Sequence, residues 1–517
     1  MKKTTSAEKT WIIFQVLLVL SIIYAGVFFF PNLTGARTPD MLQVFQVDEY
    51  AQYPHVIRML TPGDTFYQSV RNFIIYLHYF YGYIFYFVSA LVLLPLRLLG
   101  GSQWADNTPL VVALLREGVN VLPASAALLL ITYLQTGFRS WLRSVGLFLL
   151  LLSIPAITAN NLWWHPDSLG LLLVVLVFFF IDHDQERFGK YFLLAAAACG
   201  VAVGTKYLGV FFVLTIPLYL YFGIYHKKIT WQKALGMAAA FLAVMAAAVV
   251  ISNPLLLLPQ ERAALIQYQF LQYQQTMSGI ILHNTQPFLE NGQYPVDLLE
   301  NYGTLLFVLL AFLAAGIGVW RKPTRQRTLL MLTFILPMSY TIINAATRRI
   351  HYWLPVMIPL FSCFIFLFPD EQTTDKTSEV QKSQPGWKDK LQHYGPWLVF
   401  AVLFTQFIIF VQSDLKIYNE ALYRENTSPS LNFTRQVNNY LSTLPEQSKK
   451  YVAYRDWHIY FPSDQYWRVE MNWDLVGESY IRSVDPDLIL LESENINLYN
   501  DPETLNNAVN PEDFKQA

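Results

Sequence analysis

Apolar runs at 11–30, 108–135, 144–159, 168–181, 190–204, 207–224, 234–252, 303–320, 328–346, 352–369 and 396–412 fill most of the first 412 residues. About 20 apolar residues in helical form cross about 30 Å of hydrocarbon, and a soluble core cannot bury eleven such runs. The sequence therefore reads as an all-α polytopic membrane protein with about 11 transmembrane helices. Charged residues are only 14% and hydrophobic ones 54%, against about 25% charged in soluble domains. A soluble enzyme, a disordered chain and a nucleic-acid binder are excluded on these grounds, and a net charge of −1 gives no bulk attraction to nucleic acid. Cys199 and Cys363 both lie in apolar runs, as buried spectators rather than a disulfide or metal pair.

Basic linkers face the cytoplasm in membrane proteins. Here they are Arg139 to Arg143, His226 to Lys233 and Arg321 to Arg327, followed by the mixed-charge linker Lys376 to Lys390. The run Trp11–Phe30 follows Met1-Lys2-Lys3 and precedes no small-residue cleavage site, so it is a retained first helix rather than a signal peptide. With the N-terminus cytoplasmic, eleven crossings leave the C-terminus outside. The stretch Phe73 to Leu99 breaks this parity if it crosses. It carries Gly82, Pro95 and five Tyr, which suits juxtamembrane helices within a first outer loop of residues 31–107; a conventional span is the alternative. Residues 1–412 form the transmembrane domain, and the polar tail 413–517 reads as a small outer α/β domain with strands at Lys450 to Tyr454 and Asp487 to Leu491. No Walker-type, dinucleotide or Cys/His metal motif occurs.

Chemistry then belongs to the outer face. Asp48-Glu49 lies among Phe45, Val47, Tyr50 and Tyr53 in the first outer loop; partial desolvation there makes a carboxylate a better base, while a solvated charge is the plain reading. Asp167, in Trp163-Trp164-His165-Pro166-Asp167-Ser168, is a helix cap, or marks a helix start that holds an anion or metal-bound phosphate, or with His165 binds a divalent ion. Lys206 interrupts an apolar stretch in Gly204-Thr205-Lys206-Tyr207, either snorkelling or facing an anionic partner. Arg348, Arg349, His351 and Tyr352 cluster on the outer side, with Arg116 a weaker member of the set. Guanidinium groups at headgroup depth suit a lipid-anchored phosphate. A sugar on a polyprenyl phosphate needs both a base for the acceptor and cations for the departing phosphate.

This order of features resembles the GT-C superfamily of membrane glycosyltransferases, in the branch holding protein O-mannosyltransferases and the lipid A aminoarabinose transferase. The likeness covers residues 10–410 and rests on Asp48-Glu49 after one span, the juxtamembrane segment, Gly204 to Tyr207, and Arg349-Ile350-His351-Tyr352-Trp353-Leu354-Pro355. It implies inverting transfer of a hexosyl or pentosyl group from a polyprenyl-phosphate carrier to a glycan, lipid or protein acceptor. Asp48 is then the base beside Glu49, Asp167 the second-loop acid, and Lys206 with the 348–351 cluster the phosphate cations. No cofactor is implied beyond a possible divalent metal ion on Asp48 or Asp167. The His-Pro-Pro of protein mannosyltransferases is replaced by Tyr53-Pro54-His55. The His-Pro-Asp-Glu of another branch's first loop is also missing: His165-Pro166-Asp167-Ser168 comes later and lacks the Glu. The expected location is the plasma membrane of a cell envelope. The competing reading is a transporter or flippase of a lipid-linked or anionic substrate, but transporters usually place charges near the midplane of paired halves; here they gather at one face. A scaffold acting through its tail leaves the outer cations unexplained.

Overall fold

A computed structural model describes residues 6–278, 293–368, 387–444, 451–454, 459–461, 468–471, 477–491, 493–506 and 511–516. The first helix, Ser6–Asn32, has 27 residues, about 40 Å at 1.5 Å per residue. Its Ile13 and Leu17 are buried against Leu128, Phe138 and Phe148, whereas Trp11, Ile22 and Phe30 stay exposed, as a lipid-facing surface requires. Seven helices among the described residues are long and apolar enough to cross a membrane, and nine if two bent pairs each count as one. The architecture is that of a multi-pass membrane protein.

Bends mark two of the apolar segments. Residues 144–159 split at Ser153-Ile154-Pro155 into Trp141–Leu152 and Pro155–Asn161, bent by 60°, and Gln293–Tyr302 meets Leu305–Trp320 at 66°. The helices Asp167–Asp184 and Lys190–Lys206 have 18 and 17 residues, near the shortest that can span. Both lie at the centre of the bundle, where Leu171, Val174, Phe192 and Ala195 are fully buried. Enclosed by protein, they can carry charges at their ends that a lipid-facing helix cannot.

Two ends are distinguished by their contacts. Asn32, Trp164, Lys206 and Asn253 mark one, called here the site end; Phe138, Asp184, His226 and Arg327 mark the other, the basic end. The Tyr83–Gly100 helix is itself apolar enough to count among the seven. Its partners, however, all belong to the site end. A Cβ on Gly82 would lie 1.6 Å from the Gly204 carbonyl oxygen, so only glycine permits that approach. Ser89 Oγ accepts from Trp164 Nε1 at 2.9 Å, Val92 fills the space beside Gly118, and Arg97 Nε donates to the Leu60 carbonyl at 3.2 Å. These contacts tie the helix to the site end, while its Ile84 and Val88 pack against the main bundle core. Val47–Met59 and Phe66–Ile74 precede it in the first loop.

These first-loop helices build a second core of their own. Tyr76, Phe85, Tyr86, Val111 and Leu115 pack with Trp164 and Leu255, apart from the main bundle core. The helix Trp387–Thr427 continues through residue 413, and its Arg424 Nε donates to Thr34 Oγ1 at 2.9 Å. Beyond it lie three short parallel strands in the order Arg468–Met471, Tyr451–Tyr454, Leu488–Leu490. Lys376 to Pro385 lies outside the described residues.

Candidate functional site

Asp48 and Glu49 occupy the first turn of Val47–Met59, where the positive end of the helix dipole favours carboxylates. Consecutive helical side chains diverge by about 100°, so the two point to different surroundings. Glu49 is fully buried. Its Oε1 accepts from Arg116 Nε at 2.8 Å and from the Trp164 amide at 2.6 Å, and its Oε2 accepts from Arg116 Nη2 at 2.5 Å. Arg116, equally buried, also donates to the carbonyls of Asn32 at 2.9 Å and Thr34 at 3.1 Å. This bidentate pair ties the first loop to the end of the first helix and to the Trp164 turn.

Asp48 is half-buried and lies 3.5 Å from the Tyr81 hydroxyl through Oδ2. The same hydroxyl is 2.7 Å from His165 Nε2, while His165 Nδ1 bonds Asp167 Oδ2. Asp167 Oδ1 accepts from Lys206 Nζ at 2.5 Å, and His351 Nε2 lies 3.7 Å from Asp167 Oδ2. Lys206 ends its helix because Tyr207 takes a left-handed conformation, φ 58°. Its ammonium sits 4.8 Å over the Tyr352 ring. Trp163 stacks on His165 with centroids 4.0 Å apart and meets His351 edge-on at 5.0 Å. Burial pushes the His165 imidazole pKa down despite the pull of Asp167. Burial, and after it the Asp48 carboxylate, pushes the Tyr81 phenol well above its usual value. Tyr81 therefore stays a neutral hydroxyl between base and imidazole.

The turn bearing His165 is held from behind. Its amide donates to Asn120 Oδ1 at 3.2 Å, and Asn120 belongs to a π-helical turn, Glu117–Val121, a distortion that often accompanies function.

Of the residues singled out in the sequence, Asp48, His165, Asp167, Lys206, His351 and Tyr352 come together. Arg349 is exposed at the edge, and among the described residues only its carbonyl is bonded, accepting from the Tyr352 amide at 3.1 Å. Arg348 Nε turns back to the Ile343 carbonyl at 3.2 Å, and Glu49 with Arg116 forms the buried layer behind. Tyr81, Trp163 and Asn120 were not singled out. Only Tyr81 left a sequence signal, the dense run of Tyr around Gly82.

Ligand atoms of His165, Asp167 and His351 lie within 4.8 Å of one another, so these three could hold a metal ion. Two imidazoles and a carboxylate suit a transition metal better than magnesium. Asp48 is not in this group. A cation there would compete with Lys206 for Asp167.

No protein-family model matches the sequence, and no curated protein matches it either. Among solved structures, the chain is similar to ArnT from Cupriavidus metallidurans bound to undecaprenyl phosphate. The TM-score is 0.53 at 12% identity, over 94% of this chain and 88% of that one. A second structure is the archaeal oligosaccharyltransferase AglB from Archaeoglobus fulgidus, in complex with an inhibitory peptide and a dolichol-phosphate. There the TM-score is 0.43 at 9% identity, over 91% of this chain and 64% of that one. The fold is shared with ArnT along nearly the whole chain.

Proposed function

We propose that this protein is an inverting glycosyltransferase that moves a monosaccharide from a polyprenyl-phosphate carrier to an acceptor on the outer face of the membrane. The observation that carries the reading is one chain of contacts, Asp48 to Tyr81 to His165 to Asp167 to Lys206, which sets a carboxylate base beside a cationic pocket. Binding of undecaprenyl phosphate by the similarly folded ArnT supports a lipid-linked donor.

The step balances simply. An acceptor O–H or N–H gives its proton to Asp48 as its lone pair attacks the anomeric carbon. The bond from that carbon to the phosphate oxygen breaks on the opposite side, and the phosphate leaves with the electron pair. Lys206, Arg349 and His351 stabilise the charge that develops there. Tyr81 orients Asp48, while Glu49 and Arg116 hold the scaffold rather than touch substrate. A metal ion on His165, Asp167 and His351 would supply further charge neutralisation to the phosphate.

The test is release of polyprenyl phosphate from a panel of polyprenyl-phosphate sugars by the full chain in nanodiscs, with and without EDTA. Release with one donor class is expected. Binding of a lipid-linked donor without any turnover would point to a missing acceptor, and the absence of both binding and turnover would favour a transporter.

A further inference from the structure

Between the helices Phe66–Ile74 and Tyr83–Gly100 the chain reads Tyr76-Leu77-His78-Tyr79-Phe80-Tyr81, and of its rings Tyr81 meets His165 while His78 and Phe80 meet His55 and Tyr268. His78 lies 6.1 Å from Tyr81, 5.4 Å from His55 and 5.3 Å from Phe80, and Phe80 meets Tyr268 edge-on at 5.5 Å. His55 falls seven residues after Asp48 on the same helix, which places both on one face. The wall is not sealed: His55, His78 and Phe80 are half-buried and Tyr268 is 39% exposed.

The wall is built rather than incidental. His78 Nδ1 pairs with the Tyr86 hydroxyl at 2.6 Å, leaving Nε2 without a partner among the described residues. The helix Pro259–Ser278, which carries Tyr268, is fastened to the segment by Tyr79 donating to Glu261 Oε2 at 2.5 Å and by Gln269 donating to the Tyr79 carbonyl. Burial lowers the His55 pKa and takes His78 down to about 3, so both imidazoles are neutral rings that donate and accept.

We propose that the His55–His78–Phe80–Tyr268 wall is the acceptor subsite, and that the acceptor is a pyranose of a glycan presenting a hydroxyl to Asp48. Two arguments select this occupant. The hydrogen-bearing face of a pyranose is apolar and slightly positive, which matches the negative face of an aromatic ring. Its hydroxyls match neutral imidazole nitrogens, and the charges nearest the wall, Arg58 and Glu261, are already bonded to the Ile75 carbonyl and the Tyr79 hydroxyl. Position supplies the direction: attack comes from the side opposite the departing phosphate, and the wall lies across Tyr81 from Lys206. The acceptor role rests on the transferase reading; sugar binding does not.

The experiment is saturation-transfer NMR on the full chain in nanodiscs, irradiating aromatic protons, with methyl β-glucopyranoside, methyl α-mannopyranoside and cellobiose as probes. Saturation of ring-face hydrogens is expected in the wild type. It should fall about fivefold, the scale of one lost ring contact, in Phe80→Leu and in Tyr268→Leu. It should persist in Tyr225→Leu, an exposed ring at the basic end. Should one wall variant fail to fold, the other decides. No saturation with any probe, or equal saturation in the wall variants, overturns the proposal. Donor turnover without sugar saturation leaves the transferase reading standing and removes this one; sugar saturation lost in the wall variants, without donor turnover, does the reverse.

Discussion

The two ends of the bundle both carry buried acids, and they treat them differently. At the basic end Asp182, Asp184 and Glu186 are all matched. Asp184 accepts from the Tyr219 hydroxyl at 2.7 Å and from the amides of Phe188 and Gly189 at 2.8 and 2.9 Å. Glu186 accepts from His226 at 2.7 Å and Gln326 at 2.8 Å, and Asp182 from Arg327 at 2.8 Å. A cavity of about 420 Å³ opens beside these pairs, yet its acids are already satisfied. At the site end Glu49 is matched in the same way, but its neighbour Asp48 has only a 3.5 Å approach to one hydroxyl. A fully bonded carboxylate holds structure, whereas a sparsely bonded one beside a cationic pocket is free to take a proton.

The strongest way to break this contrast is to remove Arg116. Arg116→Ala leaves the Glu49 charge buried and should destabilise the fold by about 3–5 kcal/mol, read as a large drop in thermal unfolding temperature in detergent. Normal stability with weakened donor binding would return Arg116 to the phosphate site that the sequence suggests. Lys206→Ala should keep the fold and weaken donor binding about 10- to 100-fold, the scale of a charge-assisted contact; an unchanged dissociation constant would remove Lys206 from the pocket.

Much of the site was legible because chemistry had to gather at one face. Asp48, Asp167, Lys206 and His351 each stand out as polar residues beside apolar runs, and topology alone puts them on the same side. Partnerships were not legible. Glu49 and Arg116 are 67 positions apart, and no spacing rule distinguishes a cation waiting for phosphate from one already held by a carboxylate. Tyr81 was hidden because a Tyr-rich apolar stretch reads as interfacial anchoring. The fold class was legible from the apolar runs, but the bends in them were not. Pro155 and the Gly303-Thr304 junction convert simple runs into bent pairs, and short central helices depart from the length rule. The helix through residue 413 was hidden because Asp414, Lys416 and Glu420 end the apolar run without ending the helix.

Two smaller effects sharpen the comparison. Glu186→Gln at the basic end should cost about 1 kcal/mol of stability and leave transfer unchanged in a turnover assay; a marked loss of transfer would show that the two ends are coupled. His78 contributes a pH dependence. Its folded pKa is about 3 against an ordinary 6.5, so between those values the unfolded chain binds a proton that the folded chain does not. Stability therefore falls as pH drops through that window. Unfolding temperatures measured from pH 7 to pH 4 should decline less in His78→Phe than in the wild type.

The most direct test of the central claim compares the adjacent carboxylates. Single-turnover release of polyprenyl phosphate, normalised to folded protein, should fall about 10²- to 10⁴-fold in Asp48→Asn, the scale of a lost general base, with donor binding retained. Glu49→Gln should lower the unfolding temperature while its folded fraction still turns over. Wild-type release by Asp48→Asn would contradict the account.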